Sequence, residues 1–255
     1  MARSSLVGRV ALVTGAAQGM GASHARRLAA DGATVVVNDR VESPALATLA
    51  DELGGIAMAA DMHDPNAISG LINQISTVTG RLDVVVANHA YMTMGQFLEH
   101  DERDWWKVIN TNLSGTFHLI RDAVPLMREN GEGRIVVISS EWGVIGWPEA
   151  TAYASSKAGL ISLVKTLGRE LAPEGIIVNG LAPGVTDTPQ LQVDADAAGM
   201  SLEEVHAMYA ADIPMKRIGR PEELSAAVSL LCDFRLTSMI GQIVQVNGGT
   251  TRARA

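Results

Sequence analysis

The stretch Arg9-Val10-Ala11-Leu12-Val13-Thr14-Gly15-Ala16-Ala17-Gln18-Gly19-Met20-Gly21 decides how this chain is built. Its first half is a short apolar run ending at Gly15, which reads as a buried strand. Residues 22–30 read as a helix that stops near Asp31-Gly32. Between them, Gly15, Gly19 and Gly21 let the backbone approach a pyrophosphate, to which the helix N-terminus offers unpaired N–H groups. A glycine-rich turn with no ligand has the same sequence, so the next strand matters. Residues 33–38 are a β-branched run closed by Asp39. A carboxylate about 20 residues beyond the glycines suits hydrogen bonds to a ribose 2′-OH and repels a 2′-phosphate. Gln18, inside the loop, is uncharged as well. Arg40 stands next to Asp39 and could serve a 2′-phosphate, but the pair Gln18 and Asp39 favours NAD over NADP.

Outward from this unit the chain alternates. Residues 44–53 read as a helix and 55–60 as a strand, with Asp61 at its end placed to accept from an adenine amino group. Asp64-Pro65 starts the next helix, with Asp64 as N-cap. Residues 82–87 form a fourth strand, running into the loop Asn88-His89-Ala90-Tyr91-Met92-Thr93-Met94 at the strand edge where doubly wound sheets bind ligands. Helical stretches at 104–112 and 113–128 follow, with an interruption expected at Asn110-Thr111-Asn112. A strand at 133–138 ends in Ser139-Ser140, and a helix over 150–171 carries Tyr153 and Lys157. A strand at 175–181 leads into Pro183-Gly184. Residues 189–217 break the alternation and read as a mobile lid with one short helix at 202–211. A helix at 221–233 and a strand at 243–246 close the pattern. The fold class is therefore α/β: a doubly wound, Rossmann-type parallel sheet of about seven strands with helices on both faces, in one domain over 1–255.

Composition narrows the function. The chain has 255 residues, 47% of them hydrophobic, enough for one substantial core. A net charge of −8 argues against nucleic acid or an anionic membrane as partner. The one cysteine, Cys232, permits no intrachain disulfide, its apolar neighbours suggest core packing, and a reducing, cytoplasmic setting is expected. Met1–Ser5 shows no apolar leader, and no apolar run approaches the roughly 18 residues of a membrane span. The six histidines show no metal-ligand spacing, so no metal site is expected.

Tyr153 and Lys157 stand at i and i+4, which on a helix puts phenol and ammonium on one face. The ammonium is expected to lower the tyrosine pKa, fitting it for proton transfer near neutral pH. Alone, this spacing equally describes a tyrosine packed beside a lysine. In context it does not stand alone. Thr14 to Gly21, Asn112-Leu113-Ser114-Gly115, Ser140 ahead of Tyr153 and Lys157, Pro183-Gly184 followed by Thr188, and the ending Gly241 to Gly249 occur in the order found in one family. Over essentially its whole length the chain resembles the short-chain dehydrogenase/reductase family, in its short single-domain branch.

The resemblance implies roles. Tyr153 would be the general acid/base between an alcohol and a ketone. Lys157 would tune it and hold the nicotinamide ribose, Ser140 would bind the substrate oxygen, and Asn112 would position a relay water. Pro183, Gly184, Thr186 and Thr188 would lie by the nicotinamide and phosphates, with Met62 and Asn88 completing the cofactor contacts. The family is commonly tetrameric. One segment departs: where the family usually has Asn-Asn-Ala-Gly, this chain has Ala87-Asn88-His89-Ala90. His89, Tyr91, Trp142, Trp147 and Met208, with Met92, Met94 and Tyr209, are expected to line an apolar substrate pocket without lysine or arginine. The expected substrate is an uncharged cyclic or hydrophobic secondary alcohol or ketone. An acyl-carrier ketoreductase and a non-catalytic NAD sensor are the rival readings. Asp39 and the acidic charge disfavour the first, and the Ser140, Tyr153 and Lys157 set disfavours the second.

Overall fold

Seven strands lie side by side in the order β3-β2-β1-β4-β5-β6-β7. They are β1 (Val10–Thr14), β2 (Thr34–Asp39), β3 (Ile56–Ala59), β4 (Val84–Ala87), β5 (Gly133–Ile138), β6 (Ile176–Pro183) and β7 (Ile243–Val246). Every neighbouring pair is parallel. This is a computed structural model describing residues 6–251, apart from the side chain of Ala197. Met1–Ser5, where no leader was expected, lies outside the described residues.

A parallel sheet must be covered on both faces, and the alternation of side chains along β1 shows how. Val10 and Leu12 join one buried cluster, while Ala11 and Val13 join the other. The first cluster takes in Ile68, Leu71 and Ile75 of α3 (Pro65–Thr79), Leu119 and Ala123 of α5 (Gly115–Asn130) and Leu160 and Val164 of α7 (Thr151–Leu171). The second takes in Ala25 and Leu28 of α1 (Gly19–Ala30), Leu46 and Leu49 of α2 (Pro44–Leu53), and Leu224 and Val228 of α10 (Pro221–Leu231). Cys232 is fully buried there, in the packing role its neighbours suggested.

Local chemistry sets the element ends. Ser43 and Asp64 cap α2 and α3 by accepting from Leu46 N–H and Asn66 N–H, each with proline in the first helical turn. Between α4 (Glu102–Ile109) and α5 the backbone widens into a π turn, Asn110–Ser114, at the interruption expected from sequence. Such turns are frequent at functional sites. Two helices were not expected: the short α6 (Trp142–Ile145) and α8 (Gln190–Ala198), which precedes α9 (Leu202–Asp212). The α8 sequence is mostly Gln, Asp and Ala, and among its described side chains only Leu191 and Ala195 are buried, so it carries almost no helical stripe. Those two residues pack with Val205, Ile213 and Ile218 into a small cluster of their own.

At the other end of the sheet, Asp83 precedes β4 with its side chain fully buried. It accepts from Val10 N–H at 2.8 Å, from Arg9 at 3.0 Å and from Arg81 at 2.6 and 2.8 Å. Although burial alone would raise its pKa, the two guanidiniums and the N–H hold the carboxyl below its ordinary value. The stabilisation is thus present above the unfolded-state pKa and is lost as pH falls through the folded one. Asp83→Ala should cost about 3 kcal/mol in urea unfolding, the lower end for a buried pair because both arginines are partly exposed.

Candidate active site

The sheet order reverses direction between β1 and β4, and the loops leaving these two strands diverge there. This is the crevice where doubly wound sheets hold ligands. Gly15 and Gly19 both adopt left-handed backbone, with φ of +62° and +57°. That geometry turns the chain from β1 into α1 without a Cβ in the way. No side chain caps the N-terminus of α1, so its first N–H groups face the crevice unclaimed. Asp39, at the end of β2, accepts from Ala17 N–H at 3.0 Å and from its neighbour Arg40 N–H at 2.7 Å. The carboxylate thereby braces the glycine loop from the strand beside it. A cavity of about 550 Å³ is lined by Gly15, Gln18, Gly19, Met20 and Gly21, by Asp39, Arg40, Asp61 and Met62, and by Asn88 and Tyr91. A glycine cradle, an uncapped helix end and an acid at the tip of β2 fit a dinucleotide.

The β4 loop is locked to the β1 loop. Asn88 Nδ2 donates to the Thr14 and Gly15 carbonyls at 3.0 and 3.1 Å, and Asn88 N–H donates to Thr14 Oγ1. His89 does not reach toward substrate as expected. Its ring turns inward, with Nδ1 2.8 Å from Thr14 Oγ1 and Nε2 3.4 Å from Thr116 Oγ1. Burial and the charge of Lys157 push its pKa down to about 3, so the ring is neutral. The histidine fills space between β1, β4 and the start of α5, next to the larger cavity.

A second cavity of about 250 Å³ adjoins the first and shares Met20, Ala90, Thr188 and Gln190 with it. Ser140 and Tyr153 front it, and Trp142, Pro183, Gly184 and Thr186 continue its wall. Met92, Leu191 and Tyr209 supply much of its apolar side, and its described lining includes no lysine or arginine. Of the expected pocket residues, Trp142 is present and meets Tyr153 edge to face at 5.9 Å. Trp147 stacks flat on Trp142 at 5.0 Å but lies behind it, and Met208 is half exposed away from the wall. Tyr91 borders the larger cavity instead, under the Lys107 ammonium at 4.3 Å. Trp147 and Tyr91 sit on loops, whose side-chain directions periodicity does not fix, and Met208 faces outward from α9.

The Tyr153 and Lys157 pair differs from expectation in its electrostatics. Lys157 is buried, its Nζ donates to the Ile138 carbonyl at 2.8 Å, and it stands 5.5 Å from the Tyr153 ring centre. Burial pushes the phenol up to about 12, offset in part by a hydrogen bond with Ser140, and pushes the ammonium down to about 7. Desolvation dominates both groups, so the tyrosine is not lowered by the lysine. Ser139, the neighbouring serine, points away and donates to the Lys157 carbonyl at 2.8 Å.

Asn112, in the π turn, uses its amide inside the protein. Its Oδ1 accepts from Tyr91 N–H at 2.8 Å, and its Nδ2 donates to the Tyr91 carbonyl and to Ser156 Oγ at 3.0 and 3.1 Å. Its side chain braces the β4 loop against α7. Sequence reasoning also missed Glu141, which lines the smaller cavity directly after Ser140. Its signal was an acid set in an otherwise apolar segment.

With this geometry in view, the comparisons with known proteins agree on one family. A family described as enoyl-(acyl carrier protein) reductase matches residues 15–251. The 3-oxoacyl-[acyl-carrier-protein] reductase FabG of Thermotoga maritima is 34% identical over 249 residues, covering 96% of this chain and 98% of the relative. Oxidoreductase UcpA of Escherichia coli is 34% identical over 255 residues, covering 96% and 95%. A crystal structure of a short-chain type dehydrogenase/reductase from Mycobacterium marinum superposes with a TM-score of 0.89 at 32% identity, covering 98% of both chains. Among the described residues no helix is long and apolar enough to cross a membrane. By its fold, its glycine-loop cavity and these relatives, the chain belongs to the short-chain dehydrogenase/reductase family, as an oxidoreductase that binds a nicotinamide cofactor and works between carbinol and keto groups.

Proposed function

We propose that the protein is an NAD(H)-dependent dehydrogenase/reductase for an uncharged, hydrophobic or cyclic secondary alcohol or ketone. The observation that carries this reading is the junction of two cavities at Met20, Ala90 and Thr188, one holding the glycine loop and Asp39, the other fronted by Ser140 and Tyr153. When bound, the dinucleotide supplies hydride transfer. Gly15, Gln18, Gly19, Met20 and Gly21 would receive its diphosphate, Asp39 a ribose, and Asp61 with Met62 the adenine. Asn88, Lys157, Pro183, Gly184, Thr186 and Thr188 would hold the nicotinamide half.

Tyr153, protonated at neutral pH with its pKa near 12, gives its proton to the ketone oxygen as that oxygen becomes a hydroxyl. In the oxidation direction the phenolate takes the hydroxyl proton. Ser140 Oγ donates to the same oxygen and stabilises the charge that develops there. Helices α8 and α9, whose residues Leu191 and Tyr209 wall the smaller cavity, act as the substrate lid within one domain. The enzyme works in the cytoplasm as a homotetramer, and the half-exposed Trp106 on α4 and Phe117 on α5 supply apolar surface for subunit contacts.

Asp39→Ala tests the cofactor assignment. The ratio of kcat/KM for NAD over NADP should fall roughly 10- to 100-fold, the worth of a hydrogen bond to a charged group. Loosening of the glycine loop affects both cofactors and cancels in the ratio, so an unchanged ratio overturns the NAD preference. The second reading, a 3-oxoacyl-carrier-protein reductase, is favoured by the names of the relatives. Asp39 and the net charge of −8 oppose it, because an acidic carrier calls for a basic face. A panel of secondary alcohols, ketones and 3-oxoacyl thioesters, followed at the NADH absorbance, separates the two.

A further inference from the structure

Glu141 follows Ser140 directly, and its N–H donates to the Pro183 carbonyl at 2.9 Å, which fixes both residues at the head of the cavity. The residue is 4% exposed and lines the cavity beside Tyr153 and Trp142. Asn247 and Val185 border its carboxyl. Its Oε2 nevertheless has no hydrogen-bond partner among the described residues. Gly184 makes room for it: a Cβ there would stand 2.8 Å from Asn247 Cβ and 3.2 Å from Glu141 Oε2. A buried carboxyl short of donors costs about 1–3 kcal/mol, so an acid that lines an otherwise apolar cavity suits a donor brought by the ligand.

We infer that Glu141 is a specificity residue whose carboxyl accepts a hydrogen bond from a second hydroxyl of the substrate, making the preferred substrate a diol or hydroxyketone. The inference rests on the oxidoreductase reading above and refines its substrate class. Glu141 and Ser140 line the same small cavity, so one ligand can meet both side chains.

Burial pushes the Glu141 pKa up to about 7. The other titratable groups at this cavity are Tyr153 on α7, Asp194 on α8 and Tyr209 on α9, with Lys157 behind Tyr153. A hydroxyl bonds more strongly to a carboxylate than to the neutral acid, so preference for a second hydroxyl should grow as pH rises through 7.

The test compares trans-1,2-cyclohexanediol with cyclohexanol, each with NAD, in the unmodified enzyme, E141Q and E141L. The ratio of kcat/KM for diol over cyclohexanol cancels effects on cofactor binding and on Tyr153. It should fall about tenfold or more in E141L, the worth of one charge-assisted hydrogen bond, and less in E141Q, which keeps an acceptor. A ratio within about twofold of the unmodified enzyme in both variants overturns the inference. If E141L does not fold, the pH series decides. A ratio that climbs between about pH 6 and 8 in the unmodified enzyme and stays flat in E141Q supports the inference, and equal climbs overturn it. Absence of turnover of both probes by the unmodified enzyme overturns the proposed substrate class, and this inference with it.

Discussion

Tyr153→Phe is expected to lower turnover of any alcohol or ketone substrate by roughly 10²- to 10⁴-fold, the usual contribution of a positioned general acid or base. The change removes one oxygen from a buried ring, and the edge-on contact of that ring with Trp142 at 5.9 Å does not depend on the hydroxyl. The variant should therefore fold and still bind the dinucleotide, which fluorescence titration with NADH measures. The phenol fronts the cavity together with Ser140. Turnover within about twofold of the unmodified enzyme would remove Tyr153 from the mechanism. Because burial holds the phenol near 12, alcohol oxidation, which needs the phenolate, should gain rate as pH rises. Ketone reduction, which needs the phenol, should not.

The second large effect is expected from Gly21→Ala. A Cβ at Gly21 would stand 2.1 Å from the Gly15 carbonyl oxygen and 2.7 Å from Asn88 Nδ2. Both are part of the lock between the β1 and β4 loops, and neither is the free end of a flexible chain. The loop or α1 must shift, at about 1–3 kcal/mol for overpacking and more if the Asn88 bonds break. A shifted loop no longer presents the α1 N-terminus to the diphosphate, so the Kd for NADH should rise at least about tenfold. Thermal unfolding and NADH titration together check this. Retention of both stability and affinity would show that Gly21 is not where the loop, helix and cofactor meet.

How much of this could be read from the chain follows from the range of each interaction. The parallel sheet was legible because strands buried on both faces read as unbroken apolar runs, as in Leu12-Val13 and Val84-Val85-Val86. The glycine loop was legible because positive φ selects glycine locally, and Asp39 because a strand end fixes where its side chain can go. The break at Asn110 to Asn112 was legible for a similar local reason. Helix α8 was not, since Leu191 and Ala195 in a polar, alanine-rich stretch leave no period to detect.

The sequence by itself determined the α/β class, the sites of the crevice loops, and the order of Ser140, Tyr153 and Lys157, all of which rest on backbone preferences and spacing within an element. Only the tertiary structure decided the electrostatics and the pocket. Burial keeps Tyr153 protonated and weakens the Lys157 charge, and burial is a property of the whole packed fold. His89 turns inward because Thr14 and Thr116, far away in sequence, offer it partners. Glu141 faces the cavity because Gly184, 43 residues later in sequence, leaves room for its carboxyl.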